Sequence, residues 1–397
     1  MTLAGRRVVL GVSGGIACYK ACTIARRLTE LGASVDVVLT HAASNFVGPV
    51  TFEALTHRPV LTSLWQKNAA LAHVELGRQA DLVVLAPATA HLIARAAQGM
   101  ADDILTSMLL AGTAPVLLAP AMNDEMFAHP ATQQNLETLR ERGWSVIGPA
   151  VGALAEGVSD RPGRMSEPEE IVAAAERMIR GAHGPLAGKR VVVTAGPTRE
   201  ALDAVRVFSN RSSGRMGFAV AAAAHARGGD VTLIAGPTPL PAPIGVNTVA
   251  VESTIDLQQA VAGVLPDADV LIMAAAPADF RPAEQHEEKR PRGDGPLEIS
   301  LVPTDDVLLG TRDARKPGAI VVGFALETSD GVERAQAKLE RKALDLIVLN
   351  MANEAGAGFE VETNRVTLVS PTETVDLPEM PKRDVAERIL DAVEHLL

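Results

Sequence analysis

The chain opens twice. Residues 3–15 read LAGRRVVLGVSGG and residues 186–198 read LAGKRVVVTAGPT, so a basic pair, a β-branched run and a glycine turn head each half. A β-branched run feeding a glycine turn and then a helical pattern is the first strand–helix unit of an open parallel sheet. The helix N-terminus behind such a turn is where these sheets hold phosphate groups. Two openings therefore predict two domains and two nucleotide-sized sites, and a length of 397 residues accommodates both.

The rest of each half repeats the alternation. Apolar runs at 8–11, 35–40, 82–86, 115–119 and 145–147 predict strands, with a helix over 16–31. The second half has runs at 191–194, 231–235, 270–274, 320–324, 346–350 and 366–370, with helices over 216–227 and from about residue 383. Strands alternating with helices predict an α/β fold, here two mainly parallel Rossmann-like sheets flanked by helices. Residues 152–168 are rich in Gly, Ser, Asp, Arg and Pro without a period and read as a mobile loop, and 282–296 read as a charged loop. The segment GAHGPLAG has linker composition, which sets the domains at 1–184 and 185–397.

Composition narrows the function. Apolar residues make up 47% of the chain but aromatics only 3%, so the cores are aliphatic and there is little with which to stack bases. A formal charge of −11 argues against a nucleic-acid partner while leaving small phosphorylated substrates open. Cys18 and Cys22, four apart on a helix, are too few for a structural zinc site or a disulfide scaffold and read as core residues. The N-terminus lacks signal-peptide order and no apolar run reaches about 18 residues, so a cytosolic protein with no membrane partner is expected.

Neither glycine turn has the G-x-G-x-x-G pattern, and neither second strand ends in the acidic residue that holds a dinucleotide ribose. The first turn, Gly11-Val-Ser13-Gly14-Gly15, suits the single phosphate of a mononucleotide such as FMN. As a bare motif it is also found in turns that are merely tight strand-to-helix connections. APATAH (86–91) and APAMNDEM (119–126) follow strands at their C-terminal ends, where open sheets place ligands, and His73 precedes the strand at Leu82. Alone, His73 is a solvated or core histidine and Asn123 a helix cap. Together these stretches resemble the flavin-containing cysteine decarboxylase family, with its flavodoxin-like fold. The resemblance implies that Gly11, Ser13, Gly14, Gly15, Thr40, Ala88 and Thr89 hold FMN while His73 and Asn123 act on the substrate.

In the second half, TAGPTRE (194–200) precedes VRVFSNRSSGRMG (205–217), a polar, glycine-bearing loop that runs into a helix. Its backbone donors, with Ser212, Ser213 and Gly214, suit a phosphate-bearing substrate. AAAPADFRP (274–282), Lys289, VVGFALET (321–328) and the i, i+4 pair Lys338 and Lys342 follow in order. The lysine pair alone reads as a solvated helix face. The ordered series resembles phosphopantothenate-cysteine ligase, and the whole chain resembles the bifunctional phosphopantothenoylcysteine decarboxylase/phosphopantothenate-cysteine ligase family of coenzyme A synthesis. That resemblance implies a C-terminal half that activates 4-phosphopantothenate with CTP and Mg²⁺ as an acyl-cytidylate, which L-cysteine then attacks. It also implies an N-terminal half that decarboxylates the product through FMN. CTP is then bound by Ala275, Asp279, Lys289, Asp305, Asp306, Val307, Leu308, Phe324, Lys338 and Lys342, while Arg206 and Asn210 handle the acyl-cytidylate. Homo-oligomers are implied as well. The metal ligands are not legible.

Three departures mark the match. The lid reads LAEGVSDRPGRMSEP, with Glu156 where the family carries a cysteine that protonates during the reductive step. Glu156 serves as the acid if burial raises its pKa above about 6; otherwise the ligase is fused to a flavoprotein half that reduces poorly. His91 stands in place of an Asn, and PTDD (303–306) lacks a usual lysine.

Overall fold

The computed structural model describes residues 1–66, 71–181, 183–290, 297–327, 329–351 and 361–397. The tail of the charged stretch (291–296), residue 182 of the linker and Thr328 of VVGFALET lie outside them. The chain divides into two compact units, Met1–Arg180 and Gly181–Leu397. No helix among the described residues is long and apolar enough to cross a membrane.

The first unit holds five parallel strands, β1 (Arg7–Val12), β2 (Ser34–Leu39), β3 (Leu82–Ala88), β4 (Val116–Pro120) and β5 (Ser145–Val146), in the order β2-β1-β3-β4-β5. Central β1 is apolar on both faces because helices cover both. Val8, Leu10 and Val12 pack with Ile24 and Leu28 of the helix Cys18–Glu30, whereas Val9 packs with Leu85, Leu105 and Met108 on the other side. Apolar positions at 18, 21, 24, 25 and 28 form the single buried stripe of that helix, which contains Cys18. Strand order reverses at β1, so the C-terminal ends of β1 and β3 open a crevice there.

An antiparallel hairpin, β6 (Ala150–Leu154) and β7 (Gly157–Arg164), stands where the composition read as a loop. Two register shifts break its alternation, and both faces are partly exposed, so no period of two was available in the sequence. The hairpin is tied down by Ser159 to Asp124, by an Arg161–Glu125 ion pair, and by the Met122 N–H donating to the Gly163 carbonyl at 3.0 Å.

The second unit begins with β8 (Arg190–Ala195) and a short ribbon of β9 (Arg199–Ala201) and β10 (Val207–Ser209). Then follow β11 (Asp230–Ala235), β12 (Asn247–Ala250), β13 (Val270–Met273), the antiparallel pair β14 (Phe280–Pro282) and β15 (Leu301–Pro303), β16 (Ile320–Glu327) and β17 (Leu346–Met351). The chain closes through β18 (Thr363–Asn364), β19 (Thr367–Val369), β20 (Thr374–Asp376) and β21 (Met380–Pro381). The main sheet runs β12-β11-β8-β13-β16-β17-β19-β20, with its first six strands parallel and β19 and β20 as an antiparallel edge. The helices Arg215–Ala226 and Lys382–Leu396 cover one face, and Thr254–Val264 and Gly331–Lys342 cover the other. Where the first pair meets, Arg227 is buried and bonded to Glu387, Asp391 and Glu394.

Candidate functional sites

In the first unit, a cavity of about 790 Å³ opens at the C-terminal ends of β1 and β3. Ser13, Gly14, Gly15, Thr40 and Thr89 line it, as do Asn123 and Glu156. Ser13 braces the floor: its hydroxyl donates to the Pro87 carbonyl at 2.8 Å and accepts from the Thr89 N–H at 3.0 Å. Thr89 in turn caps the helix Ala90–Gln98. At Gly14 a Cβ would lie 2.6 Å from the Ala42 carbonyl carbon, so the turns after β1 and β2 are in backbone contact and only glycine fits. The N–H groups of Gly14 and Gly15 make no hydrogen bond among the described residues. Orphaned N–H groups ahead of a helix, beside a cavity of ligand size, fit a flavin mononucleotide with its phosphate at that turn.

The amide of Asn123 works in two directions. Its Oδ1 accepts from the Glu125 and Met126 N–H groups at 2.9 and 3.2 Å, capping the helix Asp124–Ala128, while its Nδ2 donates to Glu156. The helix-cap reading and the cavity reading thus hold together. Glu156 sits exposed at the hairpin turn, so the burial that an acid role requires is not found.

Two of the expected flavin contacts lie elsewhere. Gly11 is inside the sheet, where a Cβ would meet Leu85 and Leu105 at 2.6 Å, so its small size serves packing; Ala88 is a fully buried strand residue. His73, on the helix Ala72–Gln79, does not line the cavity, and its Nδ1 is buried without a partner. Lys20 went unread in the sequence. It lines the cavity almost fully buried, donating to the Met165 carbonyl at 3.2 Å and pairing with Glu167 at 3.1 Å. Its only sequence signal is a charge interrupting the apolar stripe of its helix.

The second unit has its own cavity, of about 650 Å³, over the C-terminal ends of β8, β13, β16 and β17. It brings together Asn210, Ser212, Ser213 and Gly214 with Ala275, Asp279, the run Asp305, Asp306, Val307 and Leu308, Phe324 and Lys342. Gly214 has φ +79 and precedes the helix Arg215–Ala226, whose third residue, Gly217, packs so tightly that a Cβ would stand 2.7 Å from the Thr194 carbonyl oxygen. Asn210 ties this loop to the next strand end by donating to the Ala276 carbonyl at 2.6 Å and accepting from the Ser212 N–H at 3.2 Å. Asp306 caps the short helix Val307–Gly310 and pairs with Lys342 at 2.8 Å. Burial alone would raise its pKa, but the bond and charge of Lys342 hold the carboxyl below its ordinary value.

Arg206, Lys289 and Lys338 do not line this cavity. Lys338 shares a helix with Lys342 but turns to Glu327 at 2.7 Å, because a buried carboxylate at the end of β16 draws it there. Arg206 is bound to the buried Asp203, which also accepts from the Val205 N–H at 2.9 Å and the Arg290 N–H at 3.2 Å. The guanidinium of Arg206, helped by these backbone bonds, holds the Asp203 carboxyl far below its usual range. Lys289, one residue before Arg290, is exposed. The lining adds Arg215, Asn350, Asn364 and Lys382, which the sequence reading missed. Lys382 is buried, and that burial, with Arg215 nearby, lowers its pKa.

The two cavities define a two-domain α/β protein with a mononucleotide-sized crevice in each half. Residues 1–180 match the Flavoprotein family model, and residues 186–397 match the DNA/pantothenate metabolism flavoprotein C-terminal domain. The Coenzyme A biosynthesis bifunctional protein CoaBC of Vibrio cholerae is 46% identical over 400 residues, covering 100% of this chain and 98% of that protein. Its namesake in Mycobacterium tuberculosis is 49% identical over 403 residues, covering 98% and 96%. A crystal structure of the C-terminal domain of a Coenzyme A biosynthesis bifunctional protein CoaBC is 37% identical, with a TM-score of 0.47 over 54% of this chain and 98% of that one. The chain belongs to the family of bifunctional coenzyme A biosynthesis proteins.

Proposed function

We propose that this protein makes 4-phosphopantetheine in two steps. Its C-terminal unit ligates L-cysteine to 4-phosphopantothenate at the expense of CTP, and its N-terminal unit decarboxylates the product with FMN. The observation that carries this reading is the span of the relatedness: both units are matched, at 46% identity over 100% of the chain. We read it as a cytosolic enzyme that acts as a homo-oligomer.

In the ligase step the substrate carboxylate attacks the α-phosphorus of CTP, pyrophosphate leaves, and the cysteine amine then displaces CMP from the acyl carbon. Anionic oxygens crowd together at each stage, so cations and N–H donors fixed beforehand lower the barrier. Arg215, Lys342 and Lys382 supply charge inside the cavity. The Gly214 turn directs a helix N-terminus at it, the natural seat for a substrate phosphate. Val307, Leu308 and Phe324 offer apolar surface to the nucleoside, and magnesium enters with the CTP phosphates. Lys289 and Lys338, outside the cavity, and Arg206, locked to Asp203, act as second-rank contacts or as positioning groups.

In the decarboxylase unit, Gly14 and Gly15 with Thr40 and Thr89 would hold FMN, which when bound takes up and returns a hydride equivalent and so supplies the electron sink an alkyl carboxylate lacks. Asn123 presents its Nδ2 hydrogens to the substrate side of the cavity, where a carboxylate can replace Glu156 as acceptor. Lys20 keeps positive charge beside it. His73 acts as base only if it reaches a cavity other than the one Ser13 and Asn123 line. The exposure of Glu156 supports a second reading, in which oxidative decarboxylation proceeds, the return of hydride is slow and the enethiol is released instead of 4-phosphopantetheine. The test is turnover of phosphopantothenate and cysteine with CTP or ATP, followed by CMP or AMP release, on protein whose bound flavin has been extracted and identified. CTP-selective release and FMN are expected; absence of nucleotide turnover would remove the ligase assignment.

A further inference from the structure

Two segments bring nucleotide-assigned residues to the C-terminal cavity from outside the sheet. One is the short helix Val307–Gly310 with Asp305 and Asp306 ahead of it, and the other is the helix Gly331–Lys342, which ends on Lys342. Arg315, which follows the turn Arg312–Ala314 ahead of β16, reaches both. Its Nη2 donates to the Leu308 carbonyl at 2.7 Å, and its Nη1 donates to the Lys342 and Ala343 carbonyls at 3.2 and 3.0 Å. Ala343 has φ 49 and ends its helix, so these carbonyls are among those a helix C-terminus leaves without helical partners. A cation also suits the negative end of that helix. Arg315 itself does not line the cavity.

On the cavity side the same two segments are joined by the ion pair of Lys342 and Asp306 at 2.8 Å. A nucleotide can compete for that inner joint, since a triphosphate offers Lys342 a more highly charged partner than one carboxylate. The outer joint at Arg315 lies off the cavity and holds backbone. Its Nε is buried, so water has little access to stand in for the guanidinium. The planar fork matters as well, because two nitrogens aim at two separate groups of carbonyls, which a single ammonium does not match. We propose that Arg315 is a positioning residue for nucleotide binding: it fixes the backbone of Lys342 against residues 306–308, so that the Lys342 side chain can leave Asp306 for a phosphate while the end of its helix stays in place. This rests on the ligase reading of the cavity.

The experiment measures CTP binding by calorimetry, steady-state CMP release and the thermal midpoint for wild type, Arg315→Ala and Arg315→Lys, all in the full chain. Arg315→Ala is expected to weaken CTP binding and raise KM for CTP about tenfold or more, with KM for phosphopantothenate unchanged and kcat altered less than KM for CTP. Arg315→Lys keeps the charge without the fork, and is expected to fold as wild type does and to fall between the two in CTP affinity. A wild type that binds CTP without releasing CMP would defeat the ligase reading, and the binding measurements would still decide the role of Arg315; a wild type that binds no CTP would defeat both. Unchanged CTP affinity in a folded variant, an equal rise in both KM values, a fall in midpoint and kcat with both KM values unchanged, or failure of both variants to fold would overturn the proposal.

Discussion

At Gly14 the turn after β1 runs so close to Ala42 that a methyl group would collide with backbone. Gly14→Ala should therefore open the crevice and weaken flavin retention by about ten- to a hundredfold, at the overpacking scale of roughly 1–3 kcal/mol. The visible absorbance of the purified variant measures this, and CTP-dependent CMP release should be unaffected. Asn210 poses a sharper question, because its amide already donates to the Ala276 carbonyl at 2.6 Å. Asn210→Asp places a carboxylate oxygen against that carbonyl. If Asn210 also serves the acyl oxygen, pyrophosphate release continues while amide formation slows; equal loss of both would reduce it to a tether. These residues were legible because glycines and polar groups follow apolar strands. Asn350 and Lys382 were not, since one ends a strand like any exposed Asn and the other acquires its burial only when the last helix packs.

The ribbon β9–β10 and the chain at Arg290 are gathered by a single carboxylate, Asp203. Its pKa is lowered from an ordinary value of 3.8, so the stability it contributes is complete above that value and is lost as pH falls through the depressed one. The midpoint of the wild type should hence be insensitive to this group between pH 6 and 8 and fall below about pH 4. Asp203→Asn should be less stable at neutral pH and show a shallower acid decline, both readable by thermal unfolding against pH. A second joint is Arg227, whose removal would leave Glu387, Asp391 and Glu394 facing one another where two helices meet. Arg227→Ala should destabilise the C-terminal unit by about 3–5 kcal/mol, seen as a shifted denaturant midpoint. The parallel strands were readable as apolar runs bounded by glycine turns. The hairpin β6–β7 was not, because it is pinned by Asp124, Glu125 and Met122 of another segment, contacts that carry no local period.

The doubled opening of the chain is matched by two compact units, each with its own core and its own crevice. The repeat extends only to the first strand and turn: the first sheet reverses at β1 around a single-phosphate cradle, and the second has three more strands, two of which form an antiparallel edge. Cleavage within residues 181–188 should accordingly leave CMP release and flavin binding both intact, as assayed on the nicked protein. The two activities follow one another only if the product of the second unit is the substrate of the first. The most direct test supplies phosphopantothenate, cysteine, CTP and Mg²⁺ to the full chain and identifies the organic product by mass. The account predicts 4-phosphopantetheine with one CMP released per product. Accumulated phosphopantothenoylcysteine, or the oxidised enethiol in its place, would contradict it.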